Sequence, residues 1–300
     1  MDGFRPSLGG TTWGEICSQP VTWDRAVAQA GEELGGFPLP GERVLIMGCG
    51  TSFYVAGAWA RLRESAGEGL TDAVIASEYQ PTGRTYDRIV AISRSGTSVD
   101  VVDALDRRSA GAPLTAVLGV TDTPVGHRAD HIIDLGYADE TSVVQTRFPT
   151  TLLTLVRARL GEQGLDGLIS QGAEVIARGI VEPMPRQLVV LGTGFASELA
   201  QEAALKCRES AGLWAEAYAT GEYRHGPISV CGEGTLVWGL TPLPGSVVDA
   251  VSAAGGRVRQ PSFDPLAELV SLQLHAVAWA DSVGRDADVP QHLSRSVMII

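Results

Sequence analysis

RVLIMGCGTSFYVA, residues 43–56, is an apolar run that closes on Gly-Cys-Gly and passes directly into a helix-forming stretch. An unbroken apolar run suits a strand buried on both faces, as parallel sheets require. QLVVLGTGFASELA at 187–200 repeats the pattern: apolar strand, Gly-x-Gly, helix. The two stand about one domain length apart. VIASEYQ (74–80) and WAEAYAT (214–220) correspond loosely after each, and VAISRSGTSVDVVDAL (90–105) is echoed by VWGLTPLPGSVVDAV (237–251). The reading is two copies of one α/β unit, joined near residues 161–167.

Outward from the first stretch, a helix opens at Pro20, strands fall at 43–48, 72–77, 88–93, 114–119 and 131–135, and helices at 52–66, 98–108 and 146–160. Strands alternating with helices predict a parallel sheet covered on both faces. The expected division is an N-terminal helical segment (1–40), a first domain (41–163) and a second domain with a C-terminal tail (164–300).

The chain has 300 residues, 44% of them hydrophobic and 19% charged, and a formal charge of −12, which describes a globular protein. No Lys/Arg cluster longer than Arg107-Arg108 occurs, so a nucleic-acid or anionic-membrane surface is not expected. Cys17, Cys49, Cys207 and Cys231 form no CxxC pair and read as reduced thiols, with no metal site. The N-terminus lacks a basic and apolar leader, and no apolar run approaches the ~18 residues of a membrane span. A cytoplasmic protein is expected. Lys206 is the only lysine.

GCGTS (48–52) lacks the third glycine of a dinucleotide fingerprint, since Phe53 occupies that place, and the acidic residue expected at the end of the second strand is missing, Glu78 lying thirty positions past Gly48. What remains is a glycine turn with hydroxyls at a helix N-terminus, which suits an anion. ISRSGTS (92–98) offers Ser93, Ser95, Thr97 and Ser98 around Gly96 before another helix. Each turn alone reads equally as a helix cap. Together they lie at the carboxyl ends of strands in one sheet, where open α/β folds bind ligands. Arg94 either adds charge there or faces solvent.

The second half carries acid–base groups. Lys206 and Glu209 share a helix face at i, i+3, the spacing of an ordinary surface ion pair. His225, between Arg224 and Gly226-Pro227, belongs to a loop. A glutamate and a histidine near a phosphate cradle suit proton transfer beside a carbonyl.

These residues resemble the SIS (sugar isomerase) domain family, in the tandem arrangement of the isomerase half of glucosamine-6-phosphate synthase and related sugar-phosphate isomerases and deglycases. The resembling pieces, in one order, are GCGTS, ASEY (76–79), SRSGTSVD (93–100), ETSVVQTRFPTTL (140–152), EAALKCRESAGLWAEAYATGEYRHGP (202–227) and DVPQHLSRSV (288–297). The resemblance implies two SIS domains, each a three-layer αβα sandwich. It implies that Thr51, Ser93, Ser95 and Ser98 hold a sugar phosphate, with Cys49, Gly50, Ser52, Arg94, Val143, Gln145 and Arg295 also in contact with substrate. Glu209 would move a proton between C1 and C2, His225 would help open the ring, and Lys206 falls on a lysine of the family's helix. No cofactor is implied. The family's histidine reaches a neighbouring subunit's site, so a homodimer is expected in which His225 completes the partner's pocket around Glu209 and Ser93.

Two departures bear on the reaction. No counterpart of the synthase's glutaminase domain is expected, since the sequence begins near the sugar domains. Where the synthase tail carries an imine-forming lysine, this chain has Arg295, and a guanidinium stays protonated and is no carbonyl nucleophile. The expected activity is aldose–ketose isomerisation, or deamination or deglycation of an amino-sugar phosphate. The rival is a non-catalytic sugar-phosphate sensor, and a lyase acting on a lactyl-ether amino sugar stands behind both.

Overall fold

The computed structural model describes residues 5–81, 83–108 and 111–295. The chain divides into two compact units, each built on one parallel sheet. The first-sheet unit comprises Val21–Leu165 with residues 294–295, and the second-sheet unit Asp166–Leu293 with residues 5–20. Of the segments expected from sequence, residues 5–20 group with the second-sheet unit, residues 21–40 with the first-sheet unit, and residues 294–295 of the tail with the first-sheet unit.

In the first-sheet unit, β1 (Val44–Gly48), β2 (Thr71–Ile75), β3 (Arg88–Ser93), β4 (Leu114–Leu118) and β5 (His131–Asp134) lie in the order β2-β1-β3-β4-β5. All four pairings are parallel. Every residue of β1, β3 and β4 is buried, which is why these strands read as continuous apolar runs. Residues 76 and 77, expected to continue β2, turn instead into a 3-10 segment at Ala76–Glu78. One helix, α3 (Thr51–Ser65), packs on β1, β2 and on α5 (Arg147–Arg159). The other face of the sheet meets α4 (Val99–Arg107), whose Val101, Ala104 and Leu105 join Leu45, Met47, Ile89 and Ala91 in one core. A fully buried guanidinium closes the return from α3 to β2. Arg63 donates to the carbonyls of Leu39 (2.6 Å), Glu42 (2.9 Å), Glu68 (2.6 Å) and Gly69 (3.3 Å) and to Thr71 Oγ1 (2.9 Å).

The second-sheet unit runs α6 (Leu165–Arg178), β6 (Gln187–Gly192), α7 (Ala196–Ala211), β7 (Trp214–Ala219), β8 (Thr235–Gly239), α8 (Gly245–Ala253), β9 (Arg257–Arg259) and α9 (Pro265–Ser282). Its strands are parallel in the order β7-β6-β8-β9, the same sequence of neighbours as the first four positions of the other sheet. The helix α7 packs between β6, β7 and α9. Near the N-terminus, α1 (Gly10–Cys17) lies on α9 and borrows its cap from far along the chain. Asp288 accepts from Thr11 N (2.9 Å), Thr12 N (2.8 Å) and Thr12 Oγ1 (2.7 Å). The next helix, α2 (Gln19–Ala30), includes the expected start at Pro20, and the division between units falls within it. No described helix is long and apolar enough to cross a membrane.

Candidate functional site

The first-sheet unit carries both hydroxyl-rich turns. They follow β1 and β3, which are hydrogen-bonded neighbours, at the point where the connections leave in opposite directions. Gly48 is required by space: a Cβ there would stand 2.6 Å from that of Ser52. Gly50 caps α3 with φ +54°, a backbone that glycine adopts without strain. The amides of Ser52, Phe53 and Tyr54 are engaged inside the turn, by the carbonyls of Cys49 (3.1 Å) and Gly50 (3.0 and 3.2 Å). This turn therefore offers an anion the hydroxyls of Thr51 and Ser52 and the positive end of α3, with fewer free amides than its glycines suggest. Burial raises the Cys49 thiol, and the charge of Asp100 adds to the rise while backbone bonds at Ser77 and Ala76 oppose it.

In the second turn, Ser93 Oγ accepts from Gly96 N (3.1 Å), and Ser95 Oγ from Thr97 N (3.3 Å) and Thr97 Oγ1 (3.1 Å). Both oxygens act as acceptors, which leaves each hydroxyl proton to donate. Gly96 takes φ +65°, and a Cβ there would stand 2.1 Å from Thr123 Oγ1. Ser98 holds the N-cap position of α4 but makes no capping bond. A helix cap therefore does not account for its hydroxyl.

Arg94 does not face solvent. It is 1% exposed, and its guanidinium donates to the carbonyls of Ser142 (2.8 Å), Glu140 (3.4 Å) and Arg295 (3.0 Å). Val143 and Gln145, both half-buried, lie on the loop that Arg94 holds. Gln145 Oε1 is buried and has no hydrogen-bond partner, an acceptor left over in a segment that is otherwise well bonded. Arg295 is paired with Asp139 through both carboxylate oxygens, at 2.7 and 2.8 Å. Ser296 and Val297, the end of the tail motif, lie outside the described residues.

The second-sheet unit carries Lys206, Glu209 and His225. Lys206, whose spacing from Glu209 is also that of an ordinary surface ion pair, is 1% exposed. Its Nζ lies 2.6 Å from Glu209 Oε2 and 3.3 Å from Glu202 Oε1. Glu202 is fully buried, whereas the Glu209 side chain retains 19% exposure. The three form one row on α7 at i, i+4, i+7, an ammonium between an inner and an outer carboxylate. Glu202 was not singled out in the sequence, although its place four residues before the lone lysine was the available signal. Cys207, alongside, is pushed up to about 12 by burial and stays a neutral thiol.

His225 ends a 3-10 turn at Glu222–His225 and is exposed. Tyr223 anchors that turn: it is fully buried, its ring 5.9 Å from that of Tyr218, and burial raises its phenol. Gly226 at φ +140° then turns the chain into Pro227. Among the described residues no cluster of three His, Cys, Asp or Glu side chains has the arrangement of a metal site.

No family model matches the chain. Among curated proteins it is 28% identical, over 92% of its own length and 54% of the relative's, to the glutamine–fructose-6-phosphate aminotransferase [isomerizing] of Methanothermobacter thermautotrophicus. The chain spans about half the length of the curated relatives it matches. Among solved structures, glucosamine-6-phosphate deaminase of Thermotoga maritima superposes with a TM-score of 0.81 at 22% identity, over 96% of this chain and all of that one. The tagatose-6-phosphate ketose/aldose isomerase of Escherichia coli superposes with a TM-score of 0.72 at 19% identity, over 99% of each chain. The structural likenesses establish the shared fold. The homologues support the SIS resemblance carried by the motifs.

Proposed function

We propose that this chain is a sugar-phosphate enzyme, an aldose–ketose isomerase or an amino-sugar-phosphate deaminase, built from two copies of one SIS unit. The observation that carries the reading is the row on α7: a half-buried carboxylate, Glu209, held at 2.6 Å by the chain's single lysine, itself backed by buried Glu202. A base so held is fixed in one rotamer and keeps an oxygen free for a substrate proton. Glu209 takes the proton from C2 of the open-chain aldose phosphate and returns it to C1 of the enediol or enolamine. Thr51, Ser93, Ser95 and Ser98 hold the phosphate, and His225 assists ring opening. The three relatives named above are each named for a hexose or hexosamine 6-phosphate, which agrees with this substrate class. Arg295, in place of an imine-forming lysine, argues against amide transfer to a ketose.

The test is NMR in deuterated water with glucosamine 6-phosphate, fructose 6-phosphate and tagatose 6-phosphate. Exchange at C1/C2 is expected with at least one of them. Glu209→Gln should lower it by about 10²–10⁴-fold while still binding the sugar phosphate. Binding without any exchange in the unaltered protein would favour the sensor, and full activity in Glu209→Gln would remove the glutamate from the chemistry.

A further inference from the structure

We infer that Asp139 is a specificity-determining residue that withdraws the Arg295 guanidinium from ligand binding and, together with Arg94, straps the C-terminal segment onto the first-sheet unit. The attachment has two points. The Arg295 side chain is gripped by both Asp139 oxygens, and its backbone carbonyl accepts from Arg94 Nη2 at 3.0 Å. The same buried guanidinium holds Ser142 O at 2.8 Å, so one side chain ties residue 295 to the loop leading into α5.

Asp139 is itself fixed. Its carbonyl accepts from Arg147 Nε at 3.0 Å, and its amide bonds to Gly136 O. Gly119 leaves room for it: a Cβ at that position would stand 3.1 Å from Asp139 Oδ1. Gly119 N in turn donates to Arg94 O at 3.0 Å, which places the ion pair at the carboxyl ends of β3 and β4, the end that carries the Ser93–Ser98 turn.

A cation at that end of the sheet would ordinarily serve an anionic ligand. Here one of its nitrogens, Nη2, already meets both Asp139 oxygens, so the carboxylate offsets its charge and a phosphate must compete with it. Both side chains keep partial exposure, 43% and 28%, so the pair is of modest strength and opens without unfolding the unit. The strap stands on the first-sheet unit alone, whereas the effect on a ligand rests on the phosphate reading above.

Hydrogen exchange read by mass spectrometry on the full chain tests the strap. Asp139→Asn and Arg295→Ala should each speed exchange at the amides of residues 294 and 295 by about three- to tenfold, with the rest of the chain unchanged. The double variant should exchange no faster than either single one, and the reversed pair Asp139→Arg/Arg295→Asp should recover protection. Unchanged exchange in Asp139→Asn, or additive effects in the double variant, would overturn the strap. Calorimetric titration with inorganic phosphate tests the withdrawal. Arg295→Ala should leave affinity within about twofold, Asp139→Asn should tighten it about three- to tenfold, and the double variant should lose that gain. A several-fold loss in Arg295→Ala alone would show that Arg295 binds anions despite Asp139. Absence of phosphate binding in every protein, with the exchange results as expected, would overturn the phosphate reading and uphold the strap.

Discussion

At position 275 a histidine stands in α9 between two indoles, its ring centroid 5.1 Å from that of Trp238 and 5.3 Å from that of Trp279. Its Nε2 accepts from the amides of Val181 (3.0 Å) and Glu182 (3.1 Å), so the ring proton lies on Nδ1 and is donated to Ser271 O at 2.7 Å. Protonation would place a second hydrogen where two donors already point. Burial is the main cause that lowers its pKa to about 4; the charge of Arg259 lowers it further, while the Ser271 bond and Glu182 raise it. The unfolded chain protonates this ring near pH 6.5 and the folded chain does not, so its contribution is complete above that pH and is lost as pH falls towards 4. In urea unfolding, the stability gap between the unaltered protein and His275→Gln should therefore narrow by roughly 2–3 kcal/mol between pH 7 and pH 4.5. A gap that stays constant across that range would show that the ring titrates normally. Arginine at other sites obeys the same logic of fixed geometry. Arg63 and Arg94 each serve several carbonyls from one planar fork, which an ammonium on a flexible stem does not reproduce. Beside three hydroxyl residues, Arg94 read in the sequence as a ligand contact or a solvent-facing charge, because nothing local announces the carbonyls it meets nearly fifty positions later.

Helix α5 shows how an element takes its start from outside itself. Thr146 stands at its N-cap but contributes no side-chain cap. Glu140, 1% exposed, supplies the carboxylate instead: Oε1 accepts from Thr146 N (2.6 Å), Thr146 Oγ1 (2.7 Å) and Arg147 N (2.9 Å), and Oε2 from Phe148 N (3.3 Å). A buried anion over a helix N-terminus gains both the bonds and the dipole. Glu140→Ala leaves those donors unmet and should cost about 2–4 kcal/mol, read as a lower urea midpoint with an unchanged m-value. A loss under about 1 kcal/mol would mean that water takes over the cap. The element plan was legible where burial left a pattern: β1, β3, β4 and α5 fall within a residue or two of their expected bounds. It was illegible for α9, because from Leu266 to Ala280 every residue is buried and no polar face breaks the run. The polar side chains of α9 are paired inside, Glu268 with the Trp238 indole at 2.9 Å and Gln273 with Gln19 at 2.7 Å. A helix buried on all sides has no 3.6-residue period to read.

At the scale of the whole molecule, the two hydroxyl-rich turns and the α7 ion pair were legible in the sequence, but the grouping of the terminal segments was not. The residues that fasten them, Asp288 over α1 and Asp139 with Arg94 at residue 295, are scattered single charges with no local motif. His225 raises a further question of assembly. Its turn is pinned by buried Tyr223 and by Arg224, which donates to Ser246 at 3.0 Å, yet the imidazole itself is exposed. A rigidly presented histidine pointing to solvent suits a group offered to a second copy of the chain. In a C2 dimer each site would then take Glu209 from one chain and His225 from the other. Mixing inactive His225→Ala and Glu209→Gln chains under conditions of subunit exchange should regenerate activity. Each mixed dimer carries one site with both wild-type groups and one with neither, so a random mixture, half of it heterodimers, should recover about a quarter of the original sites. Neither variant alone can do so at any concentration. If the site is composite in this way, activity should also fall on dilution, because association would complete it. If exchange is demonstrated by mass spectrometry and the mixture stays inactive, or if an active monomer sediments, His225 serves its own chain.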